Sequence, residues 1–226
     1  MKPERKLAET TIRNGVLLTL HEHDGSYAIR LNGQTLMLSV QSASELLLGE
    51  LAVARLANQP APRVLIGGLG LGFSLQSVLA KTGLAATVHV VELIPQVVDW
   101  NREFLAALNG KLLDDPRVTI FTDDIWNVLL RATPGQYDAL LLDIDNGPAA
   151  MVQQPNARLY KPSGIQLLLA ALKPGGRAAI WSAARDYAFA DRLALAGFRV
   201  EAIPAKLYAK AKRCGCTIYV ADKPLN

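Results

Sequence analysis

The sequence predicts an α/β protein in which a mostly parallel sheet, flanked by helices, follows a small antiparallel β-meander. Before residue 60 the apolar residues recur with a period of two, and Asp24-Gly25 and Asn32-Gly33 separate the runs. Such dipeptides are typical of hairpins, because both turn residues must tolerate a positive φ. After residue 62, short runs that are apolar throughout alternate with helical segments. This second rhythm is typical of parallel strands covered by helices on both faces.

In the N-terminal part, the period-two runs predict strands at residues 16–20, 27–31 and 34–40. A helix is predicted at residues 45–56, with Ser44 as its cap and with Asn58, Pro60 and Pro62 ending it. We therefore divide the chain into a β-meander at residues 1–42 and a larger domain at residues 43–226.

In the larger domain, five apolar runs predict the strands of a parallel sheet, at residues 63–67, 87–92, 117–122, 137–143 and 177–182. Helical segments lie between them, at residues 73–81, 95–109, 124–131 and 161–172. Two further strands are predicted at residues 197–204 and 216–221, joined by a basic loop.

The composition excludes several classes of protein. Half of the 226 residues are hydrophobic and 19% are charged, which indicates a globular chain rather than a disordered one. The sequence contains no run of about 18 apolar residues, so it predicts no membrane span. Cys214 and Cys216 are too few for a disulfide scaffold and too close for a comfortable bridge. We expect a reduced, cytoplasmic protein without a membrane partner.

The charge balance is only mildly basic. Lys and Arg number 24 against 20 Asp and Glu, which gives a net charge of +4. One basic cluster, at Lys206, Lys210, Lys212 and Arg213, lies in the loop before the last strand. A solvated loop explains this cluster better than a phosphate-binding patch, so the sequence does not favour nucleic acid as a partner.

A glycine-rich turn follows the first parallel strand. Gly68, Gly70 and Gly72 form the pattern G-x-G-x-G before a predicted helix. Glycine suits this position because the chain turns sharply and a ligand must approach the backbone closely. The next strand ends in Glu92-Leu93, where a carboxylate can accept hydrogen bonds from both hydroxyls of a ribose. The pair of features predicts a nucleoside-binding site.

Acidic residues also follow the next two strands. Asp123 and Asp124 come after the third strand, where a carboxylate could accept a hydrogen bond from an adenine amino group or could cap the following helix. Asp143 ends the fourth strand, where it could orient or deprotonate a nucleophile. The spacing differs from the G-x-G-x-x-G of dinucleotide-binding domains.

These motifs resemble the spermidine synthase (polyamine aminopropyltransferase) family, within the class I S-adenosylmethionine-dependent methyltransferase fold. The similarity covers residues 63–176. It is carried by the glycine turn, by Val91-Glu92-Leu93-Ile94-Pro95, by Asp115-Pro116-Arg117-Val118, and by Leu159-Tyr160 with Ala171-Leu172-Lys173-Pro174-Gly175-Gly176. The meander also resembles the N-terminal domain of that family.

The resemblance implies a transferase of the Rossmann-like fold that uses S-adenosylmethionine or its decarboxylated form. It implies donor binding by the residues at the first three strand ends: Gly68, Gly70, Gly72, Glu92, Leu93, Asp123 and Asp124. Asp143 would be the catalytic residue. Asp145, Asn146 and Tyr160 would lie on the acceptor side, and no metal is expected.

The sequence departs from the family in three places. Leu71 stands where the glycine turn of the family usually carries Asp. The family signature Asp-Ser-Ser-Asp-Pro is here Asp143-Ile144-Asp145-Asn146-Gly147-Pro148. The family segment Asp-Glu-x-x-Tyr-Gln-Glu aligns with residues 44–50, so that Leu48 and Gly49 replace the Tyr and Gln that would help hold a polyamine.

Three hypotheses about function follow. The first is transfer of an aminopropyl or methyl group from a sulfonium donor to a small nucleophile, with small-molecule donor and acceptor as the partners. The second is a non-catalytic nucleoside-binding module. The third is a methyltransferase that acts on nucleic acid, which only the basic loop suggests. A homodimer is possible, because the edge of a β-meander often pairs with a copy of itself.

Overall fold

The computed structural model describes residues 3–12, 15–144 and 154–225. An antiparallel sheet at the N-terminus consists, in spatial order, of β1 (Arg5–Ile12), β2 (Val16–His23), β3 (Ser26–Leu31) and β4 (Gln34–Leu38). Asp24 and Asn32 adopt positive φ angles of 47° and 48° in its hairpin turns. The predicted meander is confirmed, although β1 was not predicted.

A second sheet forms the body of the molecule, with seven strands: β5 (Arg63–Gly67), β6 (Thr87–Glu92), β7 (Val118–Thr122), β8 (Tyr137–Leu142), β9 (Leu172–Ser182), β10 (Arg199–Ala205) and β11 (Cys216–Asp222). Their order is β10-β11-β9-β8-β5-β6-β7. The five strands from β5 to β9 are parallel, and β11 runs antiparallel to both of its neighbours. The predicted α/β architecture is confirmed.

The helices are α1 (Ala43–Val53), α2 (Phe73–Lys81), α3 (Pro95–Glu103), α4 (Ala106–Asn109), α5 (Ile125–Arg131), α6 (Pro162–Ala171) and α7 (Tyr187–Leu195). Helix α7 was not predicted, although Asp186 caps it by accepting a hydrogen bond from the Phe189 amide. The predicted helix at residues 95–109 is divided between α3 and α4.

The cap predicted for the first helix was wrong. Ser42 occupies the N-cap position of α1, and no side chain caps the helix there. Ser44 lies inside the first turn, where its hydroxyl donates to Oε2 of Glu45 at 2.6 Å. The helix also ends at Val53 instead of residue 56.

The strand order places a crevice between β5 and β8. After β5 the chain adds β6 and β7 on one side, whereas β8 and β9 lie on the other side. In open α/β sheets, ligands bind at the carboxyl ends of the strands where the order reverses in this way. The glycine turn follows β5 and Asp143 follows β8, so the fold brings both to this crevice.

The meander packs against the second sheet at the crevice. Leu18, Leu20 and Ile29 of the meander are buried in the same apolar cluster as Val64 and Ile66 of β5. Burial of these side chains, at about 25 cal/mol per Å² of apolar surface, helps to hold the two sheets together. No helix within residues 3–12, 15–144 and 154–225 is long and apolar enough to cross a membrane.

Candidate active site

Two adjoining cavities lie at the carboxyl edge of the parallel strands. The first, called here the glycine-turn cleft, has a volume of about 100 Å³ and is bordered by strand ends β5, β6, β7 and β8 and by the meander. The second, called here the Trp181 pocket, has a volume of about 210 Å³ and lies between the meander, α1 and Trp181. Asp143, Ile144, Leu36 and Met37 line both cavities, so the two cavities share part of their walls.

The glycine turn brings the end of β5 against the end of β8. Gly68 has φ +93°, and a Cβ atom on it would lie 2.1 Å from the carbonyl oxygen of Asp143. The Asp143 amide donates to the Gly67 carbonyl at 2.8 Å. Only glycine permits this approach, so Gly68 sets the distance between the turn and Asp143.

Two asparagine side chains fix the rest of the turn. Asn101 donates to the carbonyl of Gly70 at 2.9 Å, and Asn109 donates to the carbonyl of Leu71 at 2.7 Å. The Asn109 amide also donates to Oδ1 of Asn101 at 3.1 Å. The separate helix α4 places Asn109 for this contact. Gly72 ends the turn as the N-cap of α2, with φ 88°.

Glu92 lies buried at the end of β6, with 8% of its surface exposed. Its Oε2 accepts from the Leu69 amide at 2.9 Å, and its Oε1 accepts from the Ile94 amide at 2.9 Å. Burial raises the pKa of the carboxyl, and the backbone amides oppose that shift. These bonds fix the orientation of the side chain in the wall of the cleft, and its remaining lone pairs can accept from two ligand hydroxyls. Leu93 lies beside it at the mouth of the cleft.

Asp123 and Asp124 line the side of the cleft next to β7. Asp123 forms an ion pair with Arg131 and accepts from the Asn127 amide, and these contacts lower its pKa to about 2. Asp124 caps α5 by accepting from the Trp126 amide at 2.9 Å, and its Oδ2 accepts from Arg158 at 2.6 Å. Each acid therefore has a cationic partner within the protein.

Asp143 has different surroundings. Its Oδ2 accepts a 2.6 Å hydrogen bond from the Ser74 hydroxyl of α2. Burial raises the pKa of its carboxyl, and the hydrogen bond from Ser74 opposes that shift. Among the described residues it forms no ion pair within 4.0 Å. A buried carboxyl at a strand end is a type of group that can serve as a general base.

Glu45 of α1 is the second acid of the Trp181 pocket. Burial and the nearby charge of Asp143 raise its pKa to about 7. The thiol of Cys216 is close to it, and burial raises the pKa of that thiol to about 11. The other lining side chains are mostly apolar, including Leu38, Trp181 and Leu207.

The structure brings together seven of the predicted site residues, which all line the glycine-turn cleft: Gly68, Gly70, Glu92, Leu93, Asp123, Asp124 and Asp143. Gly72 is the N-cap of α2 and is not among the described residues that line the two cavities. Asp145 and Asn146 lie outside the described residues. Tyr160 is buried between α6 and α7, where its ring meets that of Phe189 edge-on at 5.6 Å. It is not among the described residues that line the two cavities.

Sequence reasoning missed several residues of the site: Met37, Glu45, Ser74, Asn101 and Asn109. The alignment of residues 44–50 with the family segment already placed Glu45 opposite a family glutamate, so that signal was available. Ser74 and the asparagines carry no signal of their own, because their contacts depend on how α2, α3 and α4 pack. In the described ranges, no group of three or more His, Cys, Asp or Glu side chains could hold a metal ion.

Comparison with known proteins identifies a family. Residues 51–184 match the family model for the spermine/spermidine synthase domain. A polyamine aminopropyltransferase of Corynebacterium efficiens is 33% identical over 133 residues, which are 56% of this chain and 24% of that protein. Putrescine N-methyltransferase 1 of Nicotiana tabacum is 33% identical over 124 residues, which are 54% of this chain and 31% of that protein. The matching part of the chain thus spans less than a third of the length of these curated relatives.

Solved structures resemble nearly the whole chain. The spermidine synthase of Thermotoga maritima superposes with a TM-score of 0.71 at 20% identity, covering 98% of this chain and 74% of that one. A spermidine synthase in complex with the transition-state analogue AdoDATO gives a TM-score of 0.70, also at 20% identity, with 98% and 73% coverage. This likeness confirms the predicted class I methyltransferase fold.

Proposed function

We propose, from the premise that this chain belongs to the spermine/spermidine synthase family, that it transfers an alkyl group from an S-adenosylmethionine-type sulfonium to an amine. One observation carries the proposal. Glu92 and Asp143 line the same cleft from two different strand ends, and Asp143 also lines the adjoining Trp181 pocket. A nucleoside donor and a nucleophile bound in the two cavities would therefore meet at Asp143.

The lining of the glycine-turn cleft supports binding of the nucleoside part of such a donor. Glu92 would accept hydrogen bonds from the ribose hydroxyls, because its carboxylate is fixed in the wall by two backbone amides. Asp123, Asp124 and Leu93 would border the adenine, and Gly68 and Gly70 let the backbone approach the ligand.

Asp143 would act on the acceptor. An amine attacks only as the neutral base, so the carboxylate of Asp143 takes one proton from the bound ammonium and leaves a lone pair on nitrogen. The donor supplies a carbon bonded to a positively charged sulfur. The nitrogen forms the new bond to that carbon, and the electron pair of the broken C–S bond stays on sulfur as a neutral thioether. Leu36 and Met37 would exclude water from the junction of the cavities.

The transferred group is either aminopropyl or methyl. The curated relatives include enzymes named for each of these transfers. Leu71 is buried in the core, so at that position the turn offers no carboxylate to the ammonium of an aminopropyl tail. The donor would be decarboxylated S-adenosylmethionine in the first case and S-adenosylmethionine in the second.

The test is to incubate the purified chain with each donor and with butane-1,4-diamine, and to identify both products by mass spectrometry. Aminopropyl transfer releases methylthioadenosine, and methyl transfer releases S-adenosylhomocysteine. We expect one of these pairs of products. Tight binding of the nucleoside without turnover over a panel of mono-, di- and triamines would contradict the proposal and favour the non-catalytic module.

The two expectations about partners, a possible homodimer and no binding of nucleic acid, stay predictions. Light scattering would detect a homodimer. Salt-dependent retention on RNA or DNA would support the nucleic-acid hypothesis instead, because phosphate contacts release counterions.

A further inference from the structure

We propose that Glu45 binds the ammonium of the acceptor together with Asp143, so that these two carboxyls form the cation-binding part of the Trp181 pocket. This inference rests on the proposed function and names a specificity-determining residue for it. The supporting observations are the shared cavity, the absence of a cationic partner among the described residues, and the replacement of other polar groups in α1.

The two carboxyls are the acidic groups among the described lining residues of the pocket. Each is held by one hydroxyl, Glu45 by Ser44 and Asp143 by Ser74, and each hydroxyl bond is 2.6 Å long. The Ser74 hydroxyl oxygen also lies 3.4 Å from the Glu45 carbonyl oxygen, which places the start of α1 next to Asp143. The pair therefore has a fixed geometry before any ligand arrives.

No described ion pair neutralises these carboxyls, unlike Asp123 and Asp124, which pair with Arg131 and Arg158. Two like charges in one half-buried site are unfavourable unless a proton or a cation lies between them. Burial and Asp143 accordingly raise the pKa of Glu45 to about 7. A glutamate in the first turn of a helix is ordinarily favoured as a carboxylate by the helix dipole, so a capping role alone does not explain that direction.

The packing of α1 explains why the cation must be held here. Gly49 lies so close to α2 that a Cβ atom on it would be 2.6 Å from Cβ of Ser77. Leu48 is fully buried. The positions where the family segment carries Tyr and Gln thus lie in the core and in a helix contact. Glu45 is the charged group that α1 presents to the pocket, next to the hydroxyl of Ser44.

The experiment compares Glu45→Gln with Glu50→Gln, its matched control. Glu50 lies on the same helix, is exposed, and pairs with Lys81 at 3.1 Å. Loss of a charged hydrogen-bond partner predicts that Glu45→Gln raises the KM for butane-1,4-diamine about 10- to 100-fold. The KM for the donor and kcat should change less than about threefold, and Glu45→Asp should give an intermediate KM for the amine. Glu50→Gln should leave all constants within about twofold.

The pH dependence gives a second readout. Amine affinity in the wild type should rise with pH through about 7, as Glu45 ionises, and Glu45→Gln should lose most of that rise. Among the described residues, the titratable groups that face Glu45 are Asp143 and Cys216, and the thiol stays neutral in this range. Arg177 lies at the other end of α1, where it donates to the Leu51 carbonyl and pairs with Asp222.

Equilibrium binding of butane-1,4-diamine to the methylthioadenosine complex separates this inference from the proposed function. If binding depends on Glu45 while neither donor supports turnover, the proposed function fails and the inference stands. Equal binding by wild type and Glu45→Gln, or no binding by the wild type, overturns the inference whether or not turnover occurs. Should Glu45→Gln not fold, an unchanged amine KM in Glu45→Asp overturns it.

Discussion

The two cavities differ in how their acidic residues are neutralised. In the glycine-turn cleft, Glu92 is held by backbone amides and Asp123 and Asp124 by arginines. In the Trp181 pocket, the described contacts of Asp143 and Glu45 are to hydroxyls. A carboxylate that already pairs with groups of the protein suits a ligand that donates hydroxyl and amino hydrogens. A carboxylate without a cationic partner in the protein suits a cationic ligand. This difference supports the proposal that the glycine-turn cleft is the nucleoside side and that the Trp181 pocket is the amine side.

The largest effect is expected for Asp143→Asn, which removes the proton acceptor at the junction. Turnover should fall about 10²- to 10⁴-fold, the usual contribution of a general base. Donor affinity measured by calorimetry should stay within about threefold, because the amide keeps the shape of the side chain. Unchanged turnover would show that the amine loses its proton elsewhere, and the two sides would then not meet at Asp143.

Glu92→Gln should affect the glycine-turn cleft, whereas Asp143→Asn affects the junction of the two cavities. The variant loses charge-assisted hydrogen bonds, each worth about 1.5–3 kcal/mol, so methylthioadenosine should bind about 10- to 100-fold more weakly. The KM for the amine should change little. Glu103→Gln is the control, since Glu103 is an exposed carboxylate near the end of the helix that follows Glu92. If methylthioadenosine binds Glu92→Gln as tightly as wild type, Glu92 does not hold the ribose.

Ser74→Ala should have a smaller effect, about tenfold on kcat, because it removes the hydroxyl that orients Asp143. Ser77→Ala is the matched variant. Ser77 lies one turn later on α2 and donates to the Leu46 carbonyl at 2.6 Å, away from Asp143. Both variants lose one hydrogen bond to the helix contact, so their stabilities should be similar while kcat distinguishes them. Equal kcat values would remove Ser74 from the site.

Glu45→Gln should change the pH dependence of stability. The folded pKa of Glu45 is raised from 4.5 to about 7, so its contribution is fully present below about pH 4.5 and is lost as pH rises through about 7. The glutamine does not titrate. Relative to wild type, the variant should gain about 2 kcal/mol between pH 5 and pH 8, allowing for titration shared with Asp143. Urea unfolding at the two pH values measures this gain, and a difference of zero would contradict the carboxyl pair.

The residues that line the glycine-turn cleft could largely be predicted from the sequence, because they follow strand ends. Glu92 and Asp143 each come directly after an apolar run, and parallel strands deliver their carboxyl ends to one edge. The division into domains at residue 42 stays a prediction. The structure adds that both parts share one apolar cluster, since Leu18 and Ile66 are buried together.

The residues around the Trp181 pocket were harder to predict, because they are brought together by packing between distant elements. Ser74 reaches Asp143 across 69 positions of the chain. Glu45 and Asp143 line one pocket, and Gly49 lets the helix that carries Glu45 approach α2 closely. Local sequence patterns indicate which face of such a helix is apolar, but they do not indicate the register in which two helices pack.

The most direct test of the account is proton release when the amine binds. Calorimetric titration of the methylthioadenosine complex with butane-1,4-diamine at pH 7, in buffers of different ionisation enthalpy, measures it. The arriving ammonium should displace the proton that Glu45 and Asp143 hold, so the wild type should release about half a proton or more, and Glu45→Gln much less. Binding heats in the wild type that do not depend on the buffer would contradict a carboxyl pair that receives the amine.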